Sequence, residues 1–459
     1  MNNFFSDTQK DKDNGDLWSC FTEYFRKIKI ENKIIDEETI RCITLHLKKG
    51  NIQGANSAIS AALENIDKAQ INVAVTGECG AGKSSFINAL RGVGPEEEGA
   101  AEEGVVETTM KRTLYKHPKI KTLTLWDLPG IGTHNFPPKV YLEKVKFQEY
   151  DFFVIVSATR FTKLELDLSK AIRTMSRNFY FVRTKVDIDL ENEKKSKPRT
   201  FDREKILKKI RSYCENTFHD NYMDAPPIFL VSNHDLRSYD FPVLMDTLTK
   251  DLPVQKRHIF MLSLPNITDA AIERKRESLK QIVWLEAFKA GVLATVPVVG
   301  MLRDSGVEKL KKKLNHYRDS FGVDDESLEF LAKDAKVPGE QLKRSLKSPY
   351  LLETKRNETL GEKLLKLLEM FASANGGLLA TGLYFTKTYY LQLLFLDTVT
   401  EDAKFLLQVT FKKTSPHSTH PQLLAMITSS GQYQEVIRES FPLTSFLYTS
   451  QSTDNTKNL

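Results

Sequence analysis

Gly77-Glu78-Cys79-Gly80-Ala81-Gly82-Lys83-Ser84 gathers three glycines, a lysine and a hydroxyl into one short run. The spacing is that of a loop which wraps phosphates with its backbone N–H groups. Gly77, Gly80, Ala81 and Gly82 provide that backbone, and the helix that follows adds a favourable field at its N-terminus. Lys83 is placed to reach the β and γ phosphates, and the Ser84 hydroxyl to ligate Mg²⁺, with Ser85 completing the phosphate-side set. The run follows an apolar β-branched stretch and precedes the helical pattern of Phe86–Leu90, the context this chemistry requires.

Asp127-Leu128-Pro129-Gly130 follows a second apolar stretch. On its own such an acidic turn says little. At a strand's C-terminal end, where open α/β sheets bind ligands, Asp127 becomes the second Mg²⁺ anchor and the Gly130 N–H faces the γ phosphate. Thr184-Lys185-Val186-Asp187 decides the base. The Asp187 carboxylate accepts from both N1–H and N2–H₂ of guanine, whereas adenine offers no such pair and would leave the acid without partners. The stem of Lys185 can lie over the purine face, and Ser232-Asn233 forms the loop beside it. The set specifies a guanine-nucleotide site for GTP or GDP with Mg²⁺, and the carboxylate disfavours an ATPase.

These side chains need a sheet whose strand ends converge. Ile71–Thr76, Thr122–Trp126, Phe152–Val156, Phe179–Val182 and Ile228–Val231 are short apolar runs separated by helical stretches, which predicts an α/β fold with a mostly parallel sheet covered on both faces. The expected organisation is an N-terminal helical part at 1–67, the nucleotide domain at 68–253 and a second helical part at 254–413. A Ser/Thr-rich tail, read as mobile, occupies 414–459. The helical segments on either side of the α/β block are expected to pack together, because neither offers a complete core alone.

The 459 residues carry 66 Lys+Arg against 60 Asp+Glu, a net charge of +6. Spread over this length, the charge does not suggest a nucleic-acid partner and suits at most weak attraction to an acidic membrane. The four cysteines are widely spaced, which excludes a disulfide scaffold or zinc ribbon and fits a reducing compartment. The start of the chain does not read as a signal peptide, and the longest apolar run, Ala290–Leu302, is too short to span a bilayer. The expectation is a cytoplasmic protein that touches membranes without crossing them.

Beyond these motifs, Gly94–Met110, Trp126–Gly132, Glu149–Ala158, Phe179–Asp187, Tyr239-Asp240-Phe241-Pro242 and Lys256-Arg257-His258 resemble the interferon-inducible immunity-related GTPases. So do Leu264–Ile267, Trp284–Ala287, Phe321–Asp325, Tyr389-Tyr390 and Thr398–Lys404. Lys83 aligns the chain with the Gly-Lys-Ser, effector-like branch. The resemblance implies a Ras-like P-loop domain on an all-helical domain built from both chain ends. It further implies GTP-dependent self-assembly, partnership with related GTPases and action at pathogen vacuoles. It assigns Glu107 a catalytic role in paired nucleotide domains, beside Lys83 and Gly130, and makes Thr109, rather than Thr108, the residue that closes the Mg²⁺ shell.

Several positions depart from expectation. Ile131 stands where Ras-type enzymes carry the Gln that orients water, so one subunit alone should hydrolyse GTP slowly. Glu103 occupies a switch-loop place where relatives often carry Thr, read either as an acid that repels the γ phosphate or a partner's acidic loop or as a solvated surface acid. Cys79 lies in the phosphate loop near a helix N-terminus, read either as a thiol open to oxidation or as a small side chain that the loop tolerates. Asn2 rules out N-myristoylation. In Leu360–Phe371, Leu360, Leu364, Leu367, Leu368 and Phe371 share one helical face, suited either to packing in the helical domain or to a membrane surface. The rival functional reading is a nucleotide-gated interaction protein with weak or no hydrolysis.

Overall fold

The computed structural model describes residues 18–103, 111–129, 138–158, 161–293, 304–354, 358–364, 366–367 and 383–414. Asn2, Glu107, Thr108, Thr109, Gly130, Ile131, Leu368, Phe371 and the stretch from 415 to 459 lie outside them.

Six strands form one sheet in the order β2-β3-β1-β4-β5-β6. They are β1 (Ile71–Gly77), β2 (Thr113–Lys116), β3 (Leu123–Asp127), β4 (Phe152–Ser157), β5 (Phe179–Arg183) and β6 (Ile228–Leu230). All neighbours are parallel except β2, which pairs antiparallel with β3 at the edge. The five apolar runs predicted these strands to within a residue or two at each end. The sixth, β2, is a correction to the expected set: its Thr113 and Leu114 are exposed, so no apolar run marks it.

Side chains alternate between the two faces with period two. Val73, Val75, Val154 and Val156 join Phe86, Leu125 and Phe241 on one side. Ala74, Phe153, Ile155 and Phe181 meet Leu168 and Phe218 on the other. Both faces are therefore covered, as near-continuous apolar strands demand. Each such fully buried Val or Phe contributes roughly 1.5–3 kcal/mol.

Register sets where the site falls. Val75 lies opposite Asp127, Gly77 opposite Val156, Ser157 opposite Arg183, and Arg183 opposite Leu230. The loops leaving β1, β3, β5 and β6 therefore emerge at one end of the sheet.

The chain divides into two compact units, Met1–Ser278 and Leu279–Leu459. Within the first, the helix Ile52–Lys68 packs against the helix Val254–Ser263. Gln255 Nε2 donates to Asp36 Oδ2 at 2.8 Å, and Arg257 Nη1 to the Ile30 carbonyl at 2.8 Å. Segments from before and after the α/β block thus meet.

Within the second unit, Leu314, Tyr317, Phe321, Phe395, Leu396 and Val399 are buried. Tyr317 donates to Gln392 Oε1 at 3.0 Å, and the buried Asp402 carboxylate accepts from the Lys347 and Ser348 amides at 2.9 and 2.7 Å. Leu364 is fully buried and Lys366 exposed, so at this position the amphipathic helix is packed into protein. No described helix is long and apolar enough to cross a membrane.

Candidate functional site

The phosphate loop leaves β1 at Gly77, whose φ of +145° and crowding exclude a side chain. A Cβ there would lie 1.9 Å from the Val156 carbonyl oxygen. Gly82, at φ +86°, turns the chain into the helix Lys83–Arg91 and stands as its N-cap. Left-handed backbone of this kind is open to glycine at little steric cost.

The loop's carbonyls are held by side chains. Lys83 Nζ donates to the Gly77 carbonyl at 3.4 Å and to that of Glu78 at 3.0 Å. Lys185 Nζ donates to the Gly80 carbonyl at 2.8 Å, Thr184 Oγ1 to that of Ala81 at 2.7 Å, and Asn233 Nδ2 to that of Gly82 at 3.1 Å. Three residues of the base motifs thus grip three consecutive carbonyls of the phosphate loop. In trans peptide units a carbonyl and the following N–H point in opposite directions. With Gly80 at φ +73° and Gly82 at φ +86°, the loop has backbone of the kind that forms an anion cradle.

Thr184 is anchored in turn to β4: its amide and hydroxyl reach the Ser157 carbonyl at 2.8 and 3.2 Å. The Val186 amide reaches the Val231 carbonyl at 3.5 Å, tying the two base loops together. Ser232 is fully buried and its Oγ accepts from the His234 and Asp235 amides, both at 3.2 Å. It shapes the loop by a hydroxyl-closed turn. Asp187 opens the helix Val186–Ser196 half-buried, and no described residue donates to its carboxylate, which leaves the oxygens for a ligand.

On the phosphate side, Ser84 Oγ donates to Asp127 Oδ2 at 2.9 Å, and Asp127 is fully buried. A hydroxyl and a carboxylate in contact are hard oxygen donors of the kind Mg²⁺ takes alongside phosphate and water. The pair fits that ion.

Ser85 Oγ donates to Glu103 Oε2 at 2.6 Å, and Asn88 Nδ2 to Glu103 Oε1 at 2.9 Å. The Asn88 amide also pairs both ways with Ala101, at 2.9 and 2.7 Å, and Arg91 holds the Gly99 carbonyl at 2.9 Å. Ser85, Asn88 and Arg91 lie on one helical face and clasp the strand of chain that leads into residues 104–110. Cys79 is exposed.

Sequence reasoning missed two groups. Glu165 is fully buried beside β4, accepting from Ser157 Oγ and from the Thr162 amide, each at 3.0 Å. Burial pushes its carboxyl up to about 7. Thr162 and Glu165 form a capping box for the helix Lys163–Thr174, and the Thr-x-x-Glu spacing was the available signal. Tyr141, on the helix Pro138–Lys144, bonds Thr76 and Pro129, and nothing in the sequence pattern singles it out.

The family model described as Interferon-inducible GTPase matches residues 36–410. Interferon-inducible GTPase 1 of Mus musculus is 54% identical over 408 residues, spanning 89% of this chain and 98% of that protein. Interferon-gamma-inducible GTPase 10 of Mus musculus is 51% identical over 403 residues, spanning 88% and 96%. T-cell-specific guanine nucleotide triphosphate-binding protein 2, also of Mus musculus, is 50% identical over 406 residues, spanning 88% and 98%. A match over most of both chains, with these motifs at the strand ends, means that the chain belongs to the interferon-inducible GTPase family.

Proposed function

We propose that the chain binds GTP with Mg²⁺ through the residues described above and hydrolyses it. Turnover is slow for a lone molecule and rises on GTP-dependent association with a second copy or a related GTPase. The work is done at an intracellular membrane surface in interferon-induced defence. The observation that carries the nucleotide part is the loop from Gly77 to Gly82, whose Gly80, Ala81 and Gly82 carbonyls are held by Lys185, Thr184 and Asn233 of the base motifs. Family membership supports the defence role.

Asp187 reads guanine N1–H and N2–H₂, and Lys185 covers the base. Lys83 leaves the Gly77 and Glu78 carbonyls for the β and γ phosphates. Ser84 and Asp127 would hold Mg²⁺, which would supply charge neutralisation to the phosphates. Ile131 can neither donate nor accept, so groups from a second molecule complete water activation, and Glu107 is the residue we assign to that step, with Thr109 closing the metal shell.

Equilibrium binding of GTP, GDP and ATP to the full chain with Mg²⁺ tests the reading. Guanine nucleotides bind at least about a hundredfold tighter than ATP, because the Asp187 carboxylate facing adenine has no partners there. ATP binding as tight as GTP contradicts it. The weaker-hydrolysis reading is favoured by one feature: Glu103 holds the Ser85 hydroxyl beside the metal-ligating Ser84.

A further inference from the structure

Arg183 is the last residue of β5 and is buried despite its charge. Its planar guanidinium forks between two partners. Nη1 donates to the Thr184 carbonyl, and Nη2 donates to Asp189 Oδ2 at 2.5 Å. The strand end from which it reaches is itself held, because the Val231 amide donates to the Arg183 carbonyl at 2.8 Å. A cation taken out of water is costly unless it stays paired, so the fork is a fixed tie between β5 and Asp189.

The element that carries Asp189 has little else to fix it. The helix Val186–Ser196 starts from Lys185, whose φ of +60° is left-handed backbone that side chains other than glycine seldom adopt. No side chain caps that start, and of the helix's residues only Val186 and Leu190 are buried. Asp187 and Asp189 both stand in its first turn. At 3.6 residues per turn, positions two apart lie roughly 200° from one another around the axis. With Asp189 turned to Arg183, Asp187 takes the opposite side, so the helix cannot roll Asp187 without pulling Asp189 off the guanidinium. The Thr184 carbonyl shares a planar peptide unit with the Lys185 amide, and the other arm of the fork therefore fixes how the chain enters the left-handed residue.

We propose that Arg183 is a positioning residue for base recognition, whose guanidinium locks the roll of the helix Val186–Ser196 through Asp189 and so aims the Asp187 carboxylate at both donors of guanine. The inference rests on the functional reading above, in which Asp187 reads the base. A well-aimed carboxylate accepts from N1–H and N2–H₂ together, whereas one that rolls keeps one of them at most. Inosine nucleotides carry N1–H and lack the 2-amino group, so the preference for GTP over ITP reports the second bond. A residue that only steadied the fold would weaken all nucleotides alike.

The test is Arg183→Met in the full chain with Mg²⁺, reading affinities for GTP, GDP, ITP and ATP together with kcat and KM for GTP. GTP and GDP affinities fall about tenfold and ITP affinity only about two- to threefold, so the GTP-over-ITP preference drops about fourfold, the scale of part of one hydrogen bond. kcat stays within about twofold while KM rises, since the base takes no part in the chemistry. Asp189→Ala shifts the same preference by about threefold and adds little in the Arg183→Met background, because both act through one contact.

The proposal is overturned if wild type prefers GTP over ITP and Arg183→Met keeps that preference, whether its affinities are unchanged or all fall equally. A fall in kcat with unchanged affinities also overturns it. Should Arg183→Met fail to fold, Asp189→Ala decides by the same ratio, at a half-exposed position where water can replace the carboxylate. A wild type that binds ATP as tightly as GTP sinks the functional reading itself, and this inference with it.

Discussion

The base end and the phosphate end of the site are built from the same sheet but held by different means. At the base end, Lys185, Thr184 and Asn233 spend their polar groups on carbonyls of the phosphate loop, and a nucleotide need not break those bonds to read Asp187. At the phosphate end, hydroxyls that nucleotide and metal should claim are already paired with acids: Ser84 with Asp127, and Ser85 with Glu103. Lys83 likewise sits on carbonyls of its own loop. One end is preassembled, and the other must exchange partners on binding. Affinity should therefore be set at the base end, while discrimination between triphosphate and diphosphate should be set at the phosphate end.

Asp187→Asn breaks the base end most directly. GTP and GDP affinities should both fall about a hundredfold, because the amide keeps one acceptor and turns a donor toward the second of guanine's N1–H and N2–H₂ donors, where an acceptor is needed. Xanthosine nucleotides, which keep N1–H but carry an oxygen acceptor in place of the 2-amino group, should gain. Competition binding with the four nucleotides checks it, and a larger loss for GTP than for GDP would count against the division of labour.

Glu165 lies between the ends, under Ser157, whose carbonyl also anchors Thr184. Its folded-state value, pushed up to about 7 by burial, stands above the ordinary 4.5. The group's contribution to stability is therefore full below about pH 4.5 and is lost as pH rises through about 7. Over that window the difference in unfolding free energy between wild type and Glu165→Gln should fall by roughly 3 kcal/mol. His117, which burial pushes down to about 3, acts in the opposite sense below its ordinary 6.5, but it is present in both proteins and cancels. Denaturant titrations at pH 5 and 8 measure the difference, and a flat one contradicts the buried carboxyl.

Thr184→Val removes the hydroxyl that joins the Ala81 and Ser157 carbonyls. GTP and GDP should weaken together by about tenfold, the scale of one or two net hydrogen bonds. The smallest effect belongs to Glu103→Ala, which frees Ser85. Because Glu103 is exposed, affinity for GTP should rise only about two- to threefold. A loss of affinity would show instead that Glu103 supports the nucleotide.

Much of this was legible in the sequence, and the limits have physical causes. Four strand ends declared themselves because a two-sided parallel sheet forces apolar runs, and each run stops at its polar motif. β2 escaped because an edge strand needs no such run. The grip of Lys185, Thr184 and Asn233 on the phosphate loop was hidden for another reason. Their types and spacing point toward a base, and hydrogen bonds to a distant backbone leave no spacing pattern. Glu103 was visible as a departure from the family, but its partners Ser85 and Asn88 depend on how the chain folds back over the helix Lys83–Arg91. Leu364 kept both of its readings until burial placed it inside the second unit.

The measurement that bears most directly on the account is GTP turnover per molecule as a function of protein concentration, with Mg²⁺ and separated products. A site lacking a water-orienting side chain at Ile131 and completed by another subunit predicts that specific activity rises steeply with concentration. A flat, slow rate with GTP still bound would contradict that, and would leave a nucleotide-gated interaction protein in its place.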